Sequence, residues 1–250
     1  MYKGKTQLKV PSLRTLFITT AGDPYPPSGG VHLRYLQLIN IMSQFGSVGV
    51  FSLFPMESNG QPIPGVDLRY HYNTAKAEKS LWEKLELRFG WLSPGKYPCR
   101  SKIGKYTKDS AKQFQKFLAE FQPNQEIAEM RTYRYLSIAK AYGCHIILDQ
   151  CAIEKRQLGI KQKIELFRTK PIERHLIKQA DRVWICSDVD DKQLQNLYGP
   201  VSHAQAIPNG IDITNYDCIH LGTCDIPQGL DQLGRYIHYL GQFSYSDNAL

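Results

Sequence analysis

The chain has 250 residues, 42% of them hydrophobic and 22% charged, with a formal net charge of +8 and six cysteines. This is an ordinary globular composition, long enough to bury a substantial core in one large α/β domain or two small ones. It holds no run of eighteen apolar residues, and "MYKGKTQLKVPSLR" at its start lacks the apolar core of a signal peptide. The expectation is therefore a chain that neither spans a membrane nor is exported, with a cytoplasmic location. Cys99, Cys144, Cys151, Cys186, Cys218 and Cys224 form no C-x-x-C pair. Reduced, mostly buried thiols are the default, and no metal site is expected.

The first element is "RTLFITT" (14–20), a β-branched and aromatic run closed by Gly22-Asp23-Pro24, which predicts a buried strand. Next comes "PYPPSGGVHLR" and then a helical pattern. Val31, Tyr35, Leu38, Ile39, Met42 and Phe45 recur at spacings of three and four, predicting one apolar helix face with Gly46 as its stop. Gly29 and Gly30 thus fall at a strand-to-helix turn. Without a Cβ they let another group approach the backbone, and the free N–H groups of the helix start favour an anion. Glycines are equally simple turn formers, and local sequence leaves both uses open.

Strands follow at "VGVFSLF" (48–54) and "DLRYHY" (67–72). From Lys76 to Lys116 there are eleven Lys or Arg against four acids, a local balance of +7. Leu81, Leu85, Phe89 and Leu92 repeat there at helical spacing, with Trp82 and Trp91 beside them. Such a segment can lie on an anionic membrane surface, or it can be the solvated face of a helix packed into its own domain. A weaker strand at "EIAEM" (126–130), a helix at "RTYRYLSIAKAYG" and a strand at "HIILD" (145–149) come next. The remaining segments are "IERHLIKQAD", "RVWICS", "SDVDDKQLQNLYG" and "HAQAIPNGID", where Ser187 and Asp190 make the S-x-x-D signature of a helix start.

Strands alternating with helices imply right-handed crossovers and a doubly wound, mostly parallel α/β sheet. Ligands of such sheets bind outside the carboxyl ends of the strands. Three turns converge on that edge: Gly29-Gly30, Asp149-Gln150-Cys151 and Pro208-Asn209-Gly210. The G-x-G-x-x-G spacing of a Rossmann dinucleotide site is missing from "SGGVHLR".

"YPPSGGVHLRYLQLI", "CHIILDQCAIE", "IERHLIKQADRVWICSD", "IPNGIDITNY" and "YLGQFSYSDNAL", in this order, resemble the retaining GT-B glycosyltransferases often called family 4. The resemblance implies a Rossmann-like N-terminal half of a GT-B fold: an acceptor-side domain over 1–216, a linker over 217–234, and the first strand of a donor-binding domain over 235–250. It implies substrate contacts at Gly29, Gly30, Arg34, Asp149, Cys151, Glu154, Asn209 and Gly210, with no catalytic residue assigned. The substrates it implies are a nucleotide-sugar, with no further cofactor, and a polysaccharide or lipid-linked acceptor. Two departures stand out. The family usually has Asp, one residue, then His-Asn after the central strand, whereas Asp149 and Gln150 here precede Cys151 and Ala152. The sequence also ends at Leu250, shortly after the start of the second domain and short of the basic residues that would grip a departing diphosphate. The expectation is an acceptor-side half, truncated and inactive by itself, with no nucleic-acid partner. A stand-alone basic module that holds anionic membrane or nucleic acid through Lys76 to Lys116 is the alternative.

Overall fold

The computed structural model describes residues 12–20, 22–27, 29–54, 60–74, 81, 106–129, 132–150 and 160–209. All belong to the first of the chain's two compact units, Met1–Gly210. Seven strands form one parallel sheet: β1 (Leu13–Thr19), β2 (Gly46–Phe54), β3 (Leu68–Asn73), β4 (Gln125–Ala128), β5 (His145–Gln150), β6 (Arg182–Ile185) and β7 (Ala204–Ala206). Their order is β3-β2-β1-β4-β5-β6-β7. The described helices are α1 (Gly30–Ser43), α2 (Lys108–Phe121), α3 (Tyr133–Tyr142), α4 (Ile160–Gln179) and α5 (Asp188–Tyr198). The α/β, doubly wound parallel sheet expected from the alternating pattern is the one observed. None of the described helices is long and apolar enough to cross a membrane.

The central strands read as continuous apolar runs because both faces of the sheet are covered. On one face Phe17, Val48, Val50, Ile127, Ile147 and Trp184 pack with Tyr35, Leu38 and Ile39 of α1. On the other, Leu16, Ile18, Phe51 and Ile146 meet α2, α3 and α4 through Phe114, Phe117, Leu136 and Leu176, among others. Phe51 is ringed by Phe114, Phe117 and Tyr70, with centroids 5.0 to 5.6 Å away. Capping agrees with the sequence at Ser187, whose side chain accepts from the backbone N–H of Asp190. Helix α2 starts with a full capping box between Thr107 and Ser110.

Two expectations about α1 are corrected. Val31 and Phe45 are 37% and 66% exposed, so the buried apolar residues of the helix are only Tyr35, Leu38 and Ile39, with Met42 half-buried and Arg34 buried beside them. Phe45 lies past the end of the helix, and Val31 sits in the first turn at the open edge of the sheet. Gly46 is the first residue of β2 rather than the stop of α1, and a Cβ there would lie 1.8 Å from the carbonyl oxygen of Leu13. Glycine is demanded by the close pairing of β2 with β1, not by helix termination. The basic stretch with Trp82 and Trp91 lies outside the described residues, apart from Leu81, which is exposed, and 106–116, which joins α2. The expected linker and strand over 217–250 lie outside them altogether.

A carboxyl on a central strand breaks the apolar pattern without any partner. Glu126 on β4 is fully buried between its in-register neighbours Leu16 and Ile146, and neither carboxyl oxygen has a hydrogen-bond partner. Loss of hydration disfavours its charged form and pushes its pKa from 4.5 up to about 8. Burial, and then the nearby Glu126 carboxyl, raise the Cys144 thiol to about 12, so this cysteine is inert at neutral pH. Because the folded chain holds the Glu126 proton to higher pH than the unfolded chain, the stability is intact below pH 4.5. It is lost as pH rises through 8, at about 1.4 kcal/mol per pH unit in between. Glu126→Gln removes that slope. Urea unfolding at about pH 5 and about pH 8 is expected to show a loss in the native chain that exceeds the variant's by roughly 2–4 kcal/mol.

Candidate functional site

In a parallel sheet every strand ends on the same edge, and among the described residues the segments after β1 and β4 meet there, as do those after β6 and β7. The strand order reverses between β1 and β4, since the chain runs outward through β2 and β3 on one side and through β5 to β7 on the other. The chains leaving β1 and β4 lead to helices on opposite faces of the sheet, the arrangement at which open α/β sheets place their ligands. Thr20, just beyond β1, links the two: its backbone N–H and hydroxyl donate to Oε1 of Glu129 at 2.7 and 2.5 Å. The carbonyl of Glu129 accepts in turn from the backbone N–H and the hydroxyl of Thr132.

The loop from β1 to α1 begins at Gly22, whose φ of +122° is a conformation that L side chains rarely adopt. Asp23 then forms an ion pair with Arg69 of β3. Gly29 is the N-cap of α1, extended, with no side-chain cap, and no acid occupies the first turn. A Cβ added at Gly29 or Gly30 would meet nothing within 4 Å. Neither glycine is required by backbone conformation or by packing against the described residues. Both are exposed, and among the described residues no side chain caps the positive end of α1.

One turn into α1, Arg34 is 3% exposed and Asp149 on β5 is 1% exposed. Arg34 Nε donates to Oδ2 and Oδ1 of Asp149 at 2.9 and 3.1 Å, and Nη2 donates to Oδ1 at 2.6 Å. Nη1 donates to the carbonyl of Ile207 at 2.9 Å and to Oδ1 of Asn209 at 2.8 Å. The guanidinium therefore ties α1 to β5 and to the turn after β7. Its planar fork makes this possible, since a lysine could not hold a carboxylate side-on and reach a second turn. The Cys186 thiol also points to Asn209 Oδ1, at 3.9 Å.

Of the residues implied by the sequence resemblance, Arg34, Asp149 and Asn209 are in direct contact, and Gly29 and Gly30 stand one turn away on the same helix. Cys151, Glu154 and Gly210 lie outside the described residues. Sequence reasoning did not anticipate that Arg34 pairs with Asp149 across 115 positions, nor did it find Thr20, Glu129 or the Ile207 carbonyl. Glu129 carried a signal, being a charged residue directly after the apolar pair Ile127-Ala128 at a strand end. Among the described residues no group of His, Cys, Asp or Glu could hold a metal ion.

No family model and no curated protein matches the chain. Solved structures do. Sucrose-phosphate synthase from Thermosynechococcus elongatus aligns over 84% of this chain and 52% of its own, with a TM-score of 0.59 at 13% identity. A Phytolacca americana UGT2 complexed with UDP-2-fluoro-glucose and pterostilbene covers 84% of this chain and 56% of its own, with a TM-score of 0.49 at 10% identity. Anabaena HepE in complex with UDP and glucose covers 84% and 50%, with a TM-score of 0.44 at 13% identity. The chain spans about half the length of these proteins. What it has in common with the synthase is the α/β Rossmann-like fold.

The buried pair makes a direct stability test. Removing one partner of a buried ion pair costs about 3–5 kcal/mol, because the other charge is left without compensation. Arg34→Met is expected to lose that much in urea unfolding. Arg34→Met combined with Asp149→Leu is expected to recover most of it, since no lone charge remains.

Proposed function

We propose that residues 1–216 are the acceptor-side domain of a retaining GT-B glycosyltransferase that transfers a sugar from a nucleotide-sugar to a polysaccharide or lipid-linked acceptor. The observation that carries this reading is the exposed N-terminus of α1, which no side chain of the described residues caps. It lies beside a strand-order reversal, and its two glycines answer to no backbone demand and to no packing demand from the described residues. Departure of a nucleoside diphosphate develops negative charge on its oxygens. Free backbone N–H groups at a helix start stabilise that charge without reorganising. The edge beyond β1 and β4, where Thr20 meets Glu129, is the place for acceptor hydroxyls. The order of motifs in the sequence and the fold common to this chain and sucrose-phosphate synthase support the same reading.

On this reading the domain offers only part of the donor site. One helix N-terminus contributes at most about 2 kcal/mol, whereas each charge-assisted hydrogen bond supplied by a second domain contributes about 1.5–3 kcal/mol. An acceptor-side domain by itself should therefore bind nucleotide-sugars only in the millimolar range and should not turn them over. We further propose a cytoplasmic protein whose segment Lys76 to Lys116, with its local balance of +7, touches an anionic membrane surface.

Calorimetric titration with UDP-, GDP- and ADP-sugars, with donor hydrolysis assayed alongside, tests the proposal. Gly30→Asp places a carboxylate at the helix end, where it stabilises the helix and repels a phosphate. The variant is expected to keep or raise the melting temperature and to weaken nucleotide-sugar binding about tenfold or more. A native affinity tighter than ~0.1 mM would mean that this domain carries the donor site itself.

A further inference from the structure

The side-chain amide of Asn209 is oriented by chemistry rather than by chance. Arg34 has donors and no acceptor, so the atom it meets at 2.8 Å must be the oxygen of the amide. The Cys186 thiol, a weak donor, points at the same oxygen. With Oδ1 taken, the two N–H groups of Nδ2 are the free end of the amide. Asn209 is exposed, and none of the described residues accepts from Nδ2.

From this we infer that Arg34 is a positioning residue that acts through Asn209, turning its amide so that Nδ2 presents a pair of donors to an oxygen of the bound substrate. The inference rests on the reading that this edge receives a nucleotide-sugar, and it names an atom that the reading leaves unassigned. A positively charged neighbour on Oδ1 polarises the amide and strengthens the N–H donors opposite. Asp149 completes the device. It engages Nε and Nη2 of Arg34, which leaves Nη1 as the edge of the fork that faces Ile207 and Asn209. The matching substrate oxygen is either a diphosphate oxygen or a sugar hydroxyl, and both are acceptors.

Asn209→Asp separates holding from binding. The carboxylate keeps the oxygen that Arg34 holds and makes that contact charge-assisted, while the donor end becomes an acceptor. If Asn209 serves only as an anchor for Arg34, the variant is at least as stable and binds as the native chain does. The test is a titration of the ¹⁵N-labelled chain with UDP-glucose and GDP-mannose, and separately with pyrophosphate and with methyl glucoside, following the Asn209 side-chain amide pair and the backbone amides of Gly29 and Gly30. The expected result is that the Asn209 pair shifts with the nucleotide-sugars. Asn209→Asp should keep its stability but bind about tenfold more weakly or worse. Arg34→Lys should weaken binding in the native background and add little in the Asn209→Asp background, because its effect passes through the amide. A response to pyrophosphate alone assigns the oxygen to the diphosphate, and a response to methyl glucoside alone assigns it to the sugar. If the nucleotide-sugars move Gly29 and Gly30 while the Asn209 pair stays fixed and Asn209→Asp binds normally, the inference is overturned and the functional reading stands. If no nucleotide-sugar moves either set of signals at millimolar concentration, both fall together.

Discussion

The geometry of the candidate site depends on a single buried ion pair. Arg34 and Asp149 are both almost fully withdrawn from water, and a charge in that position is tolerated only when its partner and its remaining hydrogen-bonding groups are provided for. The structure provides for them through a fork. One edge of the guanidinium takes the carboxylate of β5, and Nη1 takes the Ile207 carbonyl and the Asn209 amide. Such an arrangement adds little net stability over an apolar core of the same shape. Its effect is specificity: α1 cannot slide along the sheet, nor the turn after β7 move away, without exposing a buried charge.

That constraint bears on how the edge of the sheet can work. A helix N-terminus attracts an anion only as well as its orientation is held, because the partial charge is confined to the first turn. Arg34 lies one turn from Gly30, so the pair that fixes the helix does so close to its open end. The same guanidinium holds a turn that comes from β7, four strands away from β1 in the sheet. Segments far apart in sequence are thereby fixed to one another along the carboxyl edge of the sheet.

Glu126 is the contrasting case. It too is a buried carboxyl on a central strand, yet it has no cation and no hydrogen bond, and it remains protonated to about pH 8. The two buried acidic residues on neighbouring strands, Asp149 and Glu126, thus differ in their partners for a plain reason. One faces α1 and its arginine, while the other faces the apolar helices of the opposite layer.

The α/β class and the sheet were legible in the sequence because they follow from local pattern. Apolar runs such as "RTLFITT" and "HIILD" must be buried on both faces, and the helical spacings between them leave parallel crossovers as the geometry. The glycine pair, the Ser187 cap and the Asn209 turn were legible for the same reason, since each is a short-range preference of a few residues. The buried extent of α1 was less so: a periodic pattern tells which face is apolar but not where the sheet stops, and Val31 and Phe45 fall beyond it. Gly46 could not be read correctly either, because the atom that forbids a Cβ there, the Leu13 carbonyl oxygen, is thirty-three residues upstream. Only the tertiary structure decided that Arg34 meets Asp149 and Asn209. An arginine on a helix and an aspartate on a strand pair with anything oppositely charged within reach. Reach across 115 residues is set by strand order and helix packing, which no local pattern encodes.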